Sequence, residues 1–141
     1  MRTTLTILHA VALAAVLAAP ASSTTAATGA GAPVIVLTDD TFGRILATRS
    51  HQALYTWNVE RRDGKVRCTG ACARLWPPLV VKSAAAVPRR LPGVRGTFGV
   101  VRRPGGALQV TFRGLPIYTY VHEGPDQVLC NDVDGWFVAR A

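Results

Sequence analysis

The feature that most constrains this chain is an internal repeat. Leu54-Tyr55-Thr56-Trp57-Asn58-Val59-Glu60 matches Ile117-Tyr118-Thr119-Tyr120-Val121-His122-Glu123 at an offset of 63 residues. Tyr, Thr and Glu recur identically. At the same offset Ile45 falls on Leu108, Thr48 on Thr111 and Asp63 on Asp126. With small gaps, Cys68 meets Cys130 and Trp76 meets Trp136. Each half therefore reads strand, turn, apolar-Tyr-Thr-aromatic-x-x-Glu, Asp, Cys, Trp. Self-similarity at fixed spacing marks two copies of one supersecondary unit, here about 40–81 and 96–140.

The local pattern within each unit is β. Arg44 to Arg49 and Ala53 to Asn58 are β-rich runs around Ser50-His51-Gln52, which reads as a hairpin. Thr97 to Arg102 and Ala107 to Phe112 flank Pro104-Gly105-Gly106, a stronger hairpin signal. Arg113-Gly114 turns the chain into Leu115 to Val121. A last strand is expected over Gly135 to Ala139, and Val34 to Leu37 adds an N-terminal one. Thr69 to Trp76 reads as one short helix capped by Thr69 and stopped before Pro77. Residues 82–95 connect the units. The expected fold is a small all-β domain of two repeats, sandwich or barrel-like, with one short helix near 69–76.

The N-terminus reads as an export address. Arg2 supplies a positive start, Leu5 to Ala19 an apolar stretch, and Ala19-Pro20-Ala21 a small-x-small cleavage pattern, so residues 1–21 are expected to be a signal peptide. The apolar run is short for a membrane span of about 20 residues, and no stable span is expected after cleavage. The first cysteine is Cys68, so no lipobox cysteine stands at the cut. Residues 22–32 are small, polar and aperiodic, and are expected to be a flexible leader. The domain is then 33–141, in a secreted, periplasmic or cell-envelope location. A hydrophobic share of 49% against 17% charged excludes a disordered polyampholyte.

The formal charge of +8 comes almost entirely from 14 arginines. They are scattered as singles and pairs, with no basic helical face and no nucleic-acid motif. Nucleic acid is not expected as a partner. Anionic envelope polymers or lipid head groups are the partners such a charge attracts.

Together, Leu54-Tyr55-Thr56-Trp57, Asp63-Gly64-Lys65, Cys68-Thr69-Gly70-Ala71-Cys72-Ala73-x-x-Trp76-Pro77-Pro78-Leu79, Gly114-Leu115-Pro116-Ile117-Tyr118-Thr119-Tyr120 and Gly135-Trp136-Phe137-Val138 resemble the bacterial "secreted repeat of unknown function" family. Its members are also described as predicted lipoproteins with a Tyr-x-aromatic-x-x-Asp motif. The motif residues carried over are Tyr55, Trp57, Glu60, Trp76, Pro77, Pro78, Tyr118, Tyr120, Glu123 and Trp136. Glu60 and Glu123 depart from the family in standing where it has Asp, and Cys130 is an additional thiol. The resemblance implies a Cys68–Cys72 disulfide with Cys130 free. It implies no agreed activity.

The chemistry admits three readings. In an exported chain, cysteines one helical turn apart suit a structural staple at the Trp76-Pro77-Pro78 corner. The rival is a redox or metal-handling protein using Cys68, Cys72 and Cys130, since a thiolate at a helix start is activated. Read from the residues alone, Cys130 can pair with either other cysteine. His51 and His122 have no short ligand spacing to a cysteine, so no metal site is expected. Glu60 and Glu123 form an acid pair for a glycosidase only if they face one cleft; otherwise they are expected to pair with Arg61, Arg62 or Arg113. The paired aromatics Tyr55/Trp57 and Tyr118/Tyr120 are expected to be core rather than a stacking platform for sugars. No catalytic residue and no cofactor is assigned. The expected function is an exported, non-enzymatic binding or structural module.

Overall fold

The computed structural model describes residues 31–141. The expected signal peptide and most of the leader lie outside the described residues. Ala32, at the end of that leader, is buried.

The chain opens with an antiparallel hairpin of β1 (Val34–Asp39) and β2 (Gly43–Thr48). The short β3 (Tyr55–Trp57) follows, then a 3-10 turn Asn58–Glu60 and the helix α1 (Ala71–Leu75). β4 (Val80–Val81) ends the first unit. The second unit also opens on a hairpin, of β5 (Phe98–Arg102) and β6 (Leu108–Phe112), followed by β7 (Leu115–Pro116) and β8 (Trp136–Val138) with no helix between them. The domain is mainly β, in small antiparallel sheets that do not close into a barrel.

The units are interwoven rather than side by side. β3 pairs with β8 of the other unit, Tyr55 opposite Val138 and Trp57 opposite Trp136. β4 crosses in the opposite sense, pairing with β6 so that Val80 faces Gln109. The matching contact, Ile45 opposite Arg140, lays the end of the chain against β2. Each hairpin thus pairs along one edge with backbone of the other copy. At the centre Tyr55 and Tyr118 face each other, each backbone N–H donating to the other's carbonyl at 2.8 and 3.0 Å. We call the line between these two residues the axis.

This geometry corrects the upstream alignment. Phe98 opposite Phe112 reproduces Val34 opposite Thr48, and Gln109 opposite Val80 reproduces Ile45 opposite Arg140. Ile45 is therefore equivalent to Gln109, not Leu108, and Thr48 to Phe112, not Thr111. The cause is one extra residue in the first turn. Leu54 N–H reaches back to the Leu46 carbonyl, whereas Ile117 N–H reaches only to Val110. A one-residue slip matters because it reverses every side chain's face.

One further expectation is narrowed and one corrected. The Ser50-His51-Gln52 segment turns the chain back on β2, but the pairing is brief: Ala47 lies opposite Ala53, Thr48 N–H donates to the Gln52 carbonyl and Leu54 N–H to the Leu46 carbonyl, and β3 then pairs with β8 instead. Thr69 is not a side-chain cap; α1 begins after Gly70, and Cys72 N–H is accepted by the Thr69 backbone carbonyl.

Two clusters fill the interior. Val34, Leu46, Leu54, Phe98, Val110, Phe112, Ile117 and Ala139 form a mostly aliphatic one. Tyr55, Trp76, Tyr118, Trp136 and the two buried cysteines Cys68 and Cys130 form an aromatic one. Successive strand residues point to opposite faces, so Leu54 enters the first cluster and Tyr55 the second.

Candidate functional site

The motif residues converge on the aromatic cluster. Tyr55 donates its phenol hydrogen to Glu123 Oε1, and Tyr118 donates to Glu60 Oε1 at 2.7 Å. The pairing is crossed, each tyrosine bonding the glutamate of the other unit. The same oxygens accept backbone N–H groups from the loops that follow. Glu60 takes Arg67 at 2.7 Å and Cys68 at 3.3 Å, while Glu123 takes Leu129 at 2.6 Å. The second loop is one residue shorter, which accounts for the gap that aligns Cys68 with Cys130.

The expected ion pairs with Arg61, Arg62 or Arg113 are not formed. A strand five residues before each glutamate places a tyrosine across the axis instead. Glu60 and Glu123 are 0% and 4% exposed. Such burial demands hydrogen-bond compensation, yet one oxygen of each carboxyl, Oε2, has no partner. Burial accordingly raises the Glu123 carboxyl above the ordinary carboxylate range, against the lowering effect of the Tyr55 bond. Burial, with a carboxylate as neighbour, also drives both phenols well above their usual value.

The tryptophans fill the axis. Trp76 and Trp136 stack with centroids 3.9 Å apart and planes 8° from parallel. Trp57 stacks on Trp136 at 5.2 Å, and Tyr120 packs against Trp76 at 4.7 Å with the ring planes tilted by 34°. The four rings make one column in the order Trp57, Trp136, Trp76, Tyr120. Tyr55 meets Trp76 edge-on at 72°, and Tyr118 meets Trp136 at 85°. Such edge-to-face contacts add to area burial. Pro77 and Pro78 set the edge beside this column: the Pro77 carbonyl accepts Thr119 N–H, and Pro78 lies opposite Tyr118. The aromatic pairs are core, with only Trp57 and Tyr120 half-exposed at the ends.

Cys68 and Cys72 are joined by a disulfide with Cα atoms 5.1 Å apart. Cys130 is free and buried. Burial and the Glu123 charge raise its thiol pKa, with the Tyr120 hydroxyl acting in the opposite sense. That is the reverse of what activates a cysteine nucleophile. His51 is exposed at a turn with φ of 64° and bonds Asp126 at 2.9 Å. His122 packs edge-on against Tyr120. Among the described residues no three His, Cys, Asp or Glu side chains group as metal ligands.

Sequence reasoning passed over two features. Gln109, completely buried, donates to the Ile117 carbonyl at 2.9 Å and accepts from Arg103, whose other nitrogen reaches the Cys68 carbonyl at 2.7 Å. A glutamine where the first unit has Ile45 is the available sequence signal, visible only in the correct register. The second feature is a groove of about 530 Å³ on the opposite side of β3 and β8, lined by Thr56, Arg61, Phe112, Arg113, Asn131, Phe137 and Arg140 among others. Neither motif glutamate lines it.

No family model matches the sequence, and no curated protein or solved structure matches it either.

Proposed function

We propose that this chain is an exported binding or structural module of the cell envelope, a divergent relative of the secreted-repeat family with a sandwich-like β scaffold, and that its motif residues hold the scaffold together rather than carry out turnover. The observation that carries this reading is the crossed Tyr–Glu pairing. The acid, phenol and indole groups that a catalytic site would present to a substrate are spent on one another inside the core. Exposed chemistry is left to the surface, where arginine predominates.

A disulfide is compatible with an extracellular or periplasmic location, and among the described residues no helix is long and apolar enough to cross a membrane. The redox alternative loses support from geometry. Cys68 is fully buried and Cys130 lies under the aromatic column with its thiolate disfavoured. The glycosidase alternative needs both glutamates in one cleft, but each is sealed against a tyrosine.

Mass spectrometry of the native exported protein, with and without alkylation, tests the proposal. Cleavage near Ala21, an intact Cys68–Cys72 bridge, an unmodified Cys130 that alkylates only after unfolding, and no stoichiometric metal are the expected results. Rapid alkylation of Cys130 in the folded protein, or a tightly held metal, overturns it.

A further inference from the structure

We propose that the groove behind β3 and β8 binds a phosphate monoester or diester that carries an apolar group next to its phosphate. The inference rests on the binding-module reading and supplies its ligand class.

Arg61, Arg113 and Arg140 all line this groove. None of them forms an ion pair among the described residues, although carboxylates elsewhere do pair, as Asp63 does with Arg67 at 2.6 Å. The Arg140 guanidinium lies 5.9 Å over the Phe42 ring, at the border of the lining, and the other two are held within it. Arg113 donates through Nε and Nη2 to the Arg95 carbonyl and lies 4.8 Å over the Phe112 ring. Arg61 lies 5.3 Å over Phe137. Resting on a ring, the Arg61 guanidinium keeps its N–H edge available, and that planar edge matches two phosphate oxygens at once; Arg113 has its Nε–Nη2 edge on the Arg95 carbonyl and offers its remaining Nη donors. Fixing such side chains before binding lowers the entropy cost of capture.

Other groups fit the same ligand. The Asn131 amide spends its oxygen on Val138 N–H at 3.1 Å, which turns its NH₂ donor toward free use. Phe137 and Leu115 supply an apolar wall for the ester group. Asp132 also lines the groove but leaves it net positive.

The repeat relation between the units gives a second, independent argument. The residue after each motif glutamate is Arg61 in one unit and Gly124 in the other. The strand pairings make Arg140 equivalent to Val80 and Phe137 to Pro77. The Tyr–Glu bonds at the centre recur in both units, but the groove's charge and aromatic surface do not. Arg113 adds a further mark: it occupies a left-handed position, φ of 51°, in the two-residue turn before β7, where Asn, Asp or Gly are usual.

The test is calorimetric titration of the full mature chain with phenyl phosphate, alongside co-sedimentation with phosphatidylglycerol vesicles and with neutral phosphatidylcholine vesicles. Arg61→Gln with Arg113→Gln removes the two groove charges, both at exposed positions. Arg89→Gln with Arg90→Gln removes two from the exposed connector as a charge-matched control. Saturable phenyl phosphate binding that the groove variant weakens at least tenfold, and the control less than twofold, supports the proposal with a soluble ester as ligand. Binding only to the anionic vesicles with the same variant pattern supports it with a lipid head group as the source. Equal losses in both variants, or no saturable binding to either probe, overturn it. Its failure leaves the module reading standing, because that reading is decided by thiol and metal content, which these variants do not alter.

Discussion

The two halves of this molecule solve one burial problem with the same parts and then diverge where burial is no longer the issue. Both place a tyrosine at the axis, a tryptophan against it, and a glutamate that bonds the other half's tyrosine. Beyond that shell they differ. Only the first half carries a second cysteine and a disulfide. Only the second replaces an aliphatic core residue with Gln109 and its partner Arg103. Matched features hold the halves together across the axis, and unmatched features tell the halves apart.

The matched core should break equally from either side. Trp76→Ala and Trp136→Ala each remove a ring that packs against two others and meets a tyrosine edge-on. Each is expected to cost about 3–5 kcal/mol, as aromatic truncations in cores do. Chemical denaturation of the two variants should give values within about 1 kcal/mol of one another on that scale; a larger gap means the symmetry does not extend to energetics.

The crossed bonds come next. Tyr55→Phe and Tyr118→Phe each leave a buried carboxyl short of a donor, for an expected loss of about 1–3 kcal/mol. Because both bonds span the same axis, the double variant should depart from additivity, which a double-mutant cycle detects.

The disulfide sharpens the contrast between halves. Closing so short a loop contributes about 2 kcal/mol on chain-entropy grounds. Reduction, or Cys72→Ser, should lower stability by that amount and leave the tertiary fold intact by near-ultraviolet circular dichroism. Cys130→Ser should respond to reductant as the unaltered chain does, because Cys130 takes no part in the bridge.

Alkali tests both halves at once. The folded-state phenol pKa values of Tyr55 and Tyr118 are raised, so the folded chain holds these protons more tightly than the unfolded one. Their stabilisation is complete below the unfolded tyrosine value of about 10 and is lost as pH climbs above it toward the folded values. Stability measured from pH 8 to 12 should fall above about pH 10, and the two Phe variants should each flatten the fall. Glu123 acts in the same sense at acid pH. Its raised value makes stability decline as pH rises from the ordinary carboxylate range through its folded value.

The smallest effect is at Thr69. Its side chain caps nothing, so Thr69→Ala should change stability by less than about 0.5 kcal/mol, whereas a working cap would cost about 1.

Much of the scaffold was legible because its key residues are chemically distinctive. Tyrosine, tryptophan and glutamate recur rarely enough that their spacing located both copies and their loops. The hairpin of β5 and β6 was legible from its Pro-Gly-Gly turn. The upstream register was not, because Ile45, Leu108, Thr48 and Thr111 belong to residue types that substitute freely along a strand, and one inserted turn residue left no mark. The crossing of β3, β4 and β8 was also hidden. A repeat identifies equivalent strands but not whether each pairs within its own copy or with the other. The short helix was legible from Pro77, but its start was not: Gly70, with φ of 55°, sets it by backbone conformation. The groove was the least legible, since its arginines are brought together from distant positions by strand pairing and share no periodicity.

The traded strands have a consequence for how the gene product can be divided. A cut within residues 82–95 yields two fragments, each holding a hairpin that pairs along one edge with backbone of its counterpart. Neither fragment can complete its own sheet, yet the pair retains all the contacts across the axis described above. Mixed in solution, the fragments should reassemble into a nicked domain, and either one alone should remain unstructured or pair with its own kind. That property makes the connector the natural place to split the domain into a two-piece reporter of proximity.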